Sequence, residues 1–334
     1  MTAYALSLLT NRHFIIDLSD PCDFDKIFTP NKVNWRMKNY NLSGKTNTSI
    51  NCIKSYLNCF NDYKSIKNLN VDVIYVTATM LDHLEWYIPK QLNLELEKDI
   101  LRLGLVKDVK DFTLKNMFYK WYNDLFQLEK QLEEKYEKFK HQANLNNHTQ
   151  IFCAQIRIGG KRDHVEVDAH FNPRHVTKLF WNFIRTNLIE NENWRLFVTS
   201  DMNEVEMEAI KEFGKDKVIR IDGMNTHVGF EKNLGKDCSR IEKPILDFHF
   251  LKNCDKAAIS HSGFGGLGVS NRAHADKDLH FLGSAWDIYH QEFSKNIEWK
   301  IKLQEFITKQ HNSSVHLYGS PSYSDFIKKE NKSN

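Results

Sequence analysis

The chain has 334 residues, a length that exceeds one typical hydrophobic core and therefore predicts two domains. A formal net charge of +3 at pH 7 argues against a dedicated nucleic-acid-binding protein, which would usually carry a basic stripe. No apolar run reaches the roughly 18 residues that a membrane-spanning helix needs, and residues 1–12 lack the basic start of a signal peptide, so we expect a soluble chain.

The N-terminal region mixes helical and strand patterns. A helix over residues 1–12 leads into a predicted strand at 13–18, and a continuous β-branched run predicts a buried strand at 71–78. Residues 30–51 are polar and predict a loop. Because an α/β domain usually begins with a strand, this domain either opens on a helix or lacks its first strand.

Residues 112–142 predict one long helix, with aromatic residues on one face of its first half and mostly Lys, Glu and Gln in its second half. The polar stretch ANLNNHT that follows predicts a break in the chain. We therefore predict an N-terminal, acceptor-side α/β domain over residues 1–146.

After this break, apolar strands and helices alternate, a pattern typical of a doubly wound parallel sheet. Strands are predicted at 151–158, 194–201, 217–222, 256–262 and 278–283. Helices are predicted at 173–190, 202–214, 240–254, 264–273 and 287–309. We assign residues 147–311 to a C-terminal Rossmann-like domain and residues 312–334 to a C-terminal tail.

In such sheets, ligands bind beyond the carboxyl ends of the strands. Polar or glycine residues stand at the carboxyl ends of several of the predicted strands here, namely Arg157, Asp201, Asp222 and the pair Ser262 and Gly263. Together they predict one cleft, lined by an arginine, two aspartates and the N-terminus of a helix.

The glycine spacing at Gly263, Gly265 and Gly268 fits the G-x-G-x-x-G pattern of nicotinamide dinucleotide sites, and Asp287 lies at a suitable distance beyond it. However, the pattern follows a late strand, whereas a dinucleotide fingerprint normally follows the first strand of its domain. The physical interpretation that survives is a phosphate site, because small residues at a helix start let a ligand approach backbone N–H groups.

Arg157 supplies the charge that such a phosphate requires, since its guanidinium matches a diphosphate oxygen pair and stays ionised. The alternative is a surface arginine near a strand edge. Asp201 and Asp247 are candidates for holding ligand hydroxyls or a base edge. Asp247 is equally well explained as a solvated residue on a helix.

The even number of cysteines permits disulfides, and the absence of a C-x-x-C pair argues against zinc-ribbon or thioredoxin chemistry. Five N-x-S/T sequons occur, at Asn41, Asn47, Asn147, Asn312 and Asn331. They indicate either a protein of the secretory pathway or chance in an Asn-rich sequence.

Four stretches together resemble the fucosyltransferase superfamily of plant xyloglucan, bacterial nodulation and protein O-fucosyltransferases. AQIRIGG is similar to the strand that ends in His/Gln-x-Arg, and FVTSDMNE to the strand that ends in Ser/Thr-Asp. DFHFLKNCDKAAISHSGFGGLG is similar to the last motif of the family, and YALSLLTNRHFIIDLSD to its N-terminal stretch.

The resemblance implies a GT-B architecture, in which two Rossmann-like doubly wound domains face each other across a cleft. It implies inverting transfer of fucose from GDP-fucose, without a metal or another cofactor. Arg157 would neutralise the β-phosphate of the leaving GDP, and Ser262, Gly263, Phe264 and Gly265 would form the phosphate-contacting turn.

The resemblance also implies a glycan or glycoprotein acceptor and the lumen of the Golgi or secretory pathway, with no nucleic-acid partner and no membrane span in this chain. One departure from the family is Lys161, which stands where several relatives have Asp. The nearest candidates for a catalytic base are His261 and Asp163. A non-catalytic GDP-sugar- or glycan-binding homologue and an NAD-dependent oxidoreductase stay open as alternative functions.

Overall fold

A computed structural model describes residues 1–18, 20–51, 60, 63–77, 94–145, 148–162, 165–170, 172, 174–188, 193–226, 237–260, 262–275 and 277–282. The chain divides into two compact units. The first unit comprises Met1–Phe139, Glu231–Lys252 and Gly266–Ala275, and the second comprises Lys140–Phe230, Asn253–Gly265 and Asp276–Asn334.

The fold is mixed α/β, as the sequence predicts. The helices are α1 (Thr2–Leu9), α2 (Tyr63–Lys67), α3 (Leu94–Arg102), α4 (Leu114–Leu125), α5 (Lys130–Gln142), α6 (Val176–Leu188), α7 (Asn203–Phe213), α8 (Ser239–Phe250) and α9 (Gly263–Ser270). The strands are β1 (Phe28–Pro30), β2 (Asn47–Asn51), β3 (Val73–Thr77), β4 (Phe126–Leu128), β5 (Gln150–Ile156), β6 (Gly159–Arg162), β7 (Val165–His170), β8 (Trp194–Ser200), β9 (Val218–Ile219), β10 (Lys256–Ile259) and β11 (Leu279–Phe281).

The second unit is built on a five-stranded parallel sheet with the order β11-β10-β5-β8-β9. Strand β5 is apolar along most of its length and buried on both faces, as central parallel strands are. Helices α6 and α7 pack large side chains, among them Phe180 and Trp181, against Phe152 and Leu196 of the sheet. Burial of each such side chain stabilises the fold by about 1.5–3 kcal/mol. The sheet therefore holds the residues at its edge in fixed positions.

In the first unit, the described strands form two small sheets. Strands β2 and β3 pair in parallel, and β1 pairs with β4 in an antiparallel ladder. Helices α1, α2 and α3 meet through Tyr63, whose hydroxyl donates to Asp99 Oδ2 at 2.6 Å and lies 3.0 Å from Leu9 O. The strand predicted at 71–78 is confirmed over Val73–Thr77, as β3, but its residues are half-buried or exposed, so the prediction that it is a buried strand is wrong.

The predicted single helix over residues 112–142 is wrong. The chain forms α4, then β4, then α5. The cause is non-local, because Phe126 and Leu128 of β4 pair with β1, and the Phe126 ring contacts Phe28 and Trp35. A strand partner and an aromatic cluster thus outweigh local helix propensity here.

Three further expectations differ from the structure. The predicted strand at 13–18 has only an isolated bridge between Ile16 and Arg36. The stretch predicted as a loop, 30–51, ends in β2, and the strand predicted at 217–222 is reduced to Val218–Ile219. The predicted helix at 287–309 and the tail at 312–334 lie outside the described residues.

Two disulfides join residues that are distant in sequence. Cys22 pairs with Cys238 in the first unit, and Cys153 of β5 pairs with Cys254 in the second, each with a Cα separation of 5.7 Å. Within the part of the chain that the structure describes, no helix is both long and apolar enough to cross a membrane.

Candidate functional site

The order of the parallel sheet singles out one place on its edge. The chain runs from β5 outward through β8 to β9, and then returns to the other side of β5 to form β10 and β11. This reversal between β5 and β10 is the topological switch point, and doubly wound sheets bind their ligands in the crevice beyond the strand ends there. The fold alone therefore points to the residues that follow β5 and β10.

Three polar residues meet at this edge because their strands end in register. Ile156 at the end of β5 lies opposite Ser200, and Gln155 lies opposite Ile259 of β10. The residues that directly follow β5, β8 and β10 are Arg157, Asp201 and Ser260. The structure thus brings together Arg157 and Asp201, as the sequence predicts, and adds Ser260 as their buried neighbour.

The backbone of Arg157 is held on both sides by side chains. Its N–H donates to Ser260 Oγ at 2.7 Å, and its carbonyl accepts from Asn172 Nδ2 at 2.6 Å. Ser260 is fully buried and Asn172 is 2% exposed. Arg157 therefore follows the last paired residue of β5 without losing its backbone hydrogen bonds.

Asp201 holds the turn that comes next. Its two carboxylate oxygens accept from the backbone N–H groups of Ile158 and Gly159 at 2.9 and 2.8 Å. The same carboxylate lies 3.3 Å from Arg157 Nε, as an ion pair. Asp201 therefore fixes the backbone of residues 157–159, and its predicted contact with a ligand stays a prediction.

The Arg157 side chain has an exposed fraction of 15%. The alternative interpretation as a surface arginine is therefore wrong. A guanidinium that is mostly enclosed, and attached to a backbone fixed on both sides, loses little further conformational freedom when it binds an anion.

The glycine spacing has a packing explanation in two of its three positions. A Cβ atom at Gly265 would overlap the side-chain amide of Gln155, and a Cβ at Gly268 would overlap Leu251. At Gly263, in contrast, the space is open and the residue is exposed.

The start of α9 presents backbone amides in the way that helix N-termini do. Gly265 N–H donates to Ser262 Oγ at 3.4 Å, and Ser262 and Phe264 are partly exposed. The Oε1 of Gln155, a residue only 3% exposed, accepts no hydrogen bond from the described residues. The start of α9 thus presents polar groups to a ligand on the β10 side of the switch point, whereas Gln155 Oε1 is enclosed by protein.

Asp247 occupies a different environment from the one predicted as its alternative. It lies on α8 in the first unit, is 2% exposed, and forms an ion pair with Lys243 at 2.6 Å. The interpretation as a solvated helix residue is therefore wrong. Its predicted contact with a nucleotide stays a prediction.

Sequence reasoning missed Asn172. It lies between β7 and α6, apart from every quoted motif, and nothing in the local pattern distinguishes it from a turn residue. The residues His261, Asp163 and Asp287 lie outside the described residues. No group of three or more His, Cys, Asp and Glu side chains suited to a metal ion occurs among the residues that the structure describes.

No protein-family model matches the chain, and no curated protein matches its sequence. Solved structures do match its fold. A point mutant of Arabidopsis thaliana FUT1 in complex with GDP aligns with 13% identity and a TM-score of 0.53, over 81% of this chain and 64% of that one. The chain thus spans slightly less than two thirds of the FUT1 structure.

Two further structures match at lower TM-scores. The fucosyltransferase NodZ from Bradyrhizobium has 10% identity and a TM-score of 0.42, over 80% of this chain and 85% of that one. POFUT1 has 11% identity and a TM-score of 0.42, over 84% of this chain and 92% of that one. The chain has a fucosyltransferase-like fold of the Rossmann-like GT-B class.

Proposed function

We propose that the chain is an inverting, metal-independent glycosyltransferase that moves fucose from GDP-fucose to a hydroxyl group of a glycan or protein. The observation that carries the proposal is the fixed, mostly enclosed Arg157 at the β5–β10 switch point. The FUT1 structure of similar fold holds GDP. We assign nucleotide-sugar binding to the C-terminal domain, residues 147–311, because all five strands of the parallel sheet lie in it.

The transfer is a single displacement. The acceptor oxygen forms a bond to the anomeric carbon of fucose while the bond from that carbon to the β-phosphate oxygen breaks, so the anomeric configuration inverts. The acceptor proton passes to a base, for which His261 and Asp163 stay the candidates. The electron pair of the broken bond stays on GDP, whose negative charge therefore grows in the transition state.

The positive charge of Arg157 stabilises this growing negative charge. A guanidinium held in place stabilises the leaving diphosphate more in the transition state than in the ground state, without the metal ion that other transferases use. Under the same proposal, the backbone of Ser262, Gly263, Phe264 and Gly265 contacts the phosphates at the start of α9. Asp201 and Asp247 remain the proposed contacts to hydroxyls or the base.

Ligand-dependent thermal stability tests the donor. The purified chain is heated with GDP, GDP-fucose, UDP-glucose or NAD, each without metal and then with Mg²⁺. A ligand at 100 times its Kd adds about 2.7 kcal/mol to the free energy of unfolding. We expect GDP and GDP-fucose to stabilise the chain equally with and without Mg²⁺. Stabilisation by NAD alone would overturn the proposal in favour of an oxidoreductase.

Transfer is measured separately, as fucose incorporation into glycan and glycoprotein acceptors from labelled GDP-fucose. Binding of GDP-fucose together with transfer supports the full proposal. Binding without transfer to any acceptor would instead favour the non-catalytic GDP-sugar-binding homologue.

We also propose the lumen of the secretory pathway as the site of action. The two disulfides support this, because such bonds form and persist in oxidising compartments and are rare in the cytosol.

A further inference from the structure

The side chain of Asn172 makes one hydrogen bond with the described residues. Its Nδ2 donates to Arg157 O at 2.6 Å, and its own backbone N–H donates to Ile158 O at 3.3 Å. The other half of the amide, Oδ1, is buried and accepts no hydrogen bond from the described residues. The bond to Arg157 fixes which end of the amide is which, since only the NH₂ group can donate to a carbonyl.

The unsatisfied Oδ1 lowers the stability of the fold, but an apolar side chain would instead leave the carbonyl of Arg157 without its donor, which also lowers stability. What asparagine provides, and an apolar residue cannot, is a donor for the carbonyl of Arg157. That carbonyl lies just beyond Ile156, the last residue of β5 that pairs with β8, so the sheet does not supply a donor.

We propose that Asn172 is a positioning residue for Arg157. Ser260 accepts from the backbone N–H of Arg157, and Asn172 donates to its backbone carbonyl. Because both hydrogen bonds fix the backbone, the Cα atom that carries the guanidinium side chain has a defined position. Asn172 acts through Arg157 and not by touching the ligand, since its Oδ1 is inaccessible to solvent. The inference deepens the proposed function and rests on it for the identity of the ligand, GDP.

Asn172→Asp tests the donor with almost no change of shape. An ionised carboxylate at this position repels the Arg157 carbonyl, whereas a protonated carboxyl group donates to it as the amide does. Burial raises the pKa of a carboxyl group, so the variant should regain function as the pH falls. Asn172→Leu keeps the branched shape of the side chain, removes the donor, and should show no recovery at any pH.

The first readout is the Kd for GDP, expressed as a ratio to the unsubstituted chain at each pH between 8 and 5. We expect both variants to raise the Kd about tenfold at pH 8, the size of one lost hydrogen bond. At pH 5 the ratio should return towards one for Asn172→Asp alone. Asn182→Asp, the same change at an exposed position on α6, is the matched control and should leave the ratio at one throughout.

The second readout needs no ligand. Hydrogen exchange of the peptide that covers residues 155–160 should be faster in both Asn172 variants at pH 8 and unchanged in Asn182→Asp. If the unsubstituted chain fails to bind GDP but exchange still accelerates, the positioning role stands and the proposed function falls. If the unsubstituted chain binds GDP while neither its Kd nor the exchange changes in the Asn172 variants, the positioning role is overturned and the proposed function stands.

Discussion

At the scale of single residues, three side chains hold the backbone of Arg157 and of the turn that follows it. Ser260 and Asn172 bind its own peptide groups, and Asp201 binds the two that follow. The motif Gln-Ile-Arg indicates the arginine and the strand before it. The motif does not indicate Asn172, because that residue lies 15 positions later and reaches Arg157 only through the fold of the chain.

Arg157→Lys tests the shape of the cation separately from its charge. Lysine keeps the charge but cannot present two parallel N–H groups to a diphosphate. We expect the Kd for GDP to rise by about 10- to 100-fold, which corresponds to about 1.4–2.8 kcal/mol, and fucose transfer to fall at least as much. Isothermal titration calorimetry measures the first. The matched control is Arg174→Lys, at a half-exposed arginine of the same unit, and equal losses in both variants would contradict the role of Arg157.

At the scale of elements, the glycines of α9 serve different purposes within one sequence pattern. Gly268 is packed against Leu251, whereas Gly263 faces open space. A sequence pattern cannot separate a glycine required for close packing from one that leaves a ligand path open. Only the neighbours in space separate them.

Gly268→Ala and Gly263→Ala make a matched pair within α9. At Gly268 the added methyl group overlaps Leu251, and overpacking of this kind costs about 1–3 kcal/mol of unfolding free energy. At Gly263 nothing lies within 4 Å, and alanine gains up to about 1 kcal/mol of helix propensity. Urea unfolding compares the two. Equal destabilisation would show that the packing of Gly268 has been misjudged.

The link between α2 and α3 is electrostatic. Burial by itself raises the pKa of Asp99, but hydrogen bonds from Lys67, Tyr63 and Arg102 outweigh it and lower the pKa to about 2. A carboxylate whose pKa is lowered by folding stabilises the fold above its unfolded pKa, and that contribution disappears as the pH falls through the folded value.

We therefore expect Asp99→Asn to lower the free energy of unfolding by about 2 kcal/mol at pH 7, because one pKa unit corresponds to about 1.4 kcal/mol. The gap between the variant and the unsubstituted chain should narrow as the pH falls from about 4 to about 2. Denaturant melts at pH 7, 4 and 2.5 measure it. A gap that stays constant over this range would show that the lost interaction is not ionic.

The parallel strands were predictable from sequence, and the helix boundaries of the first unit were not, for one physical reason. Strands β5, β8 and β10 are short, mostly apolar runs that are buried along most of their length, so the local sequence indicates them. The division of residues 112–142 depends on β1, which lies almost 100 residues earlier in the chain at Phe28–Pro30. Local patterns contain no record of that pairing.

At the scale of the whole molecule, the disulfides and the sequons make one joint prediction. Asn41 and Asn47 are both exposed, and the Oδ1 of Asn41 accepts from the N–H of Ser43, the third residue of its sequon, at 3.0 Å. A chain that matures in the secretory lumen should therefore carry an N-linked glycan at Asn41.

The measurement is the mass of the chain secreted from eukaryotic cells, before and after enzymatic removal of N-glycans. Asn41→Gln and Ser43→Ala should each remove one glycan, and Ser43→Thr should keep it, because threonine completes the sequon as serine does. A secreted, disulfide-bonded chain that carries nothing at Asn41 would contradict the prediction.

The disulfide between Cys22 and Cys238 has a consequence for how the chain is made. Its two cysteines are separated by 216 positions, so at about 5–20 residues per second the first must wait roughly 10–40 s for the second to emerge from the ribosome. The first unit also needs Glu231–Lys252 and Gly266–Ala275 for its completion. The N-terminal part of this protein therefore cannot close its disulfide before residue 238 has been synthesised, and Cys22 must stay unreacted, or pair temporarily elsewhere, until then.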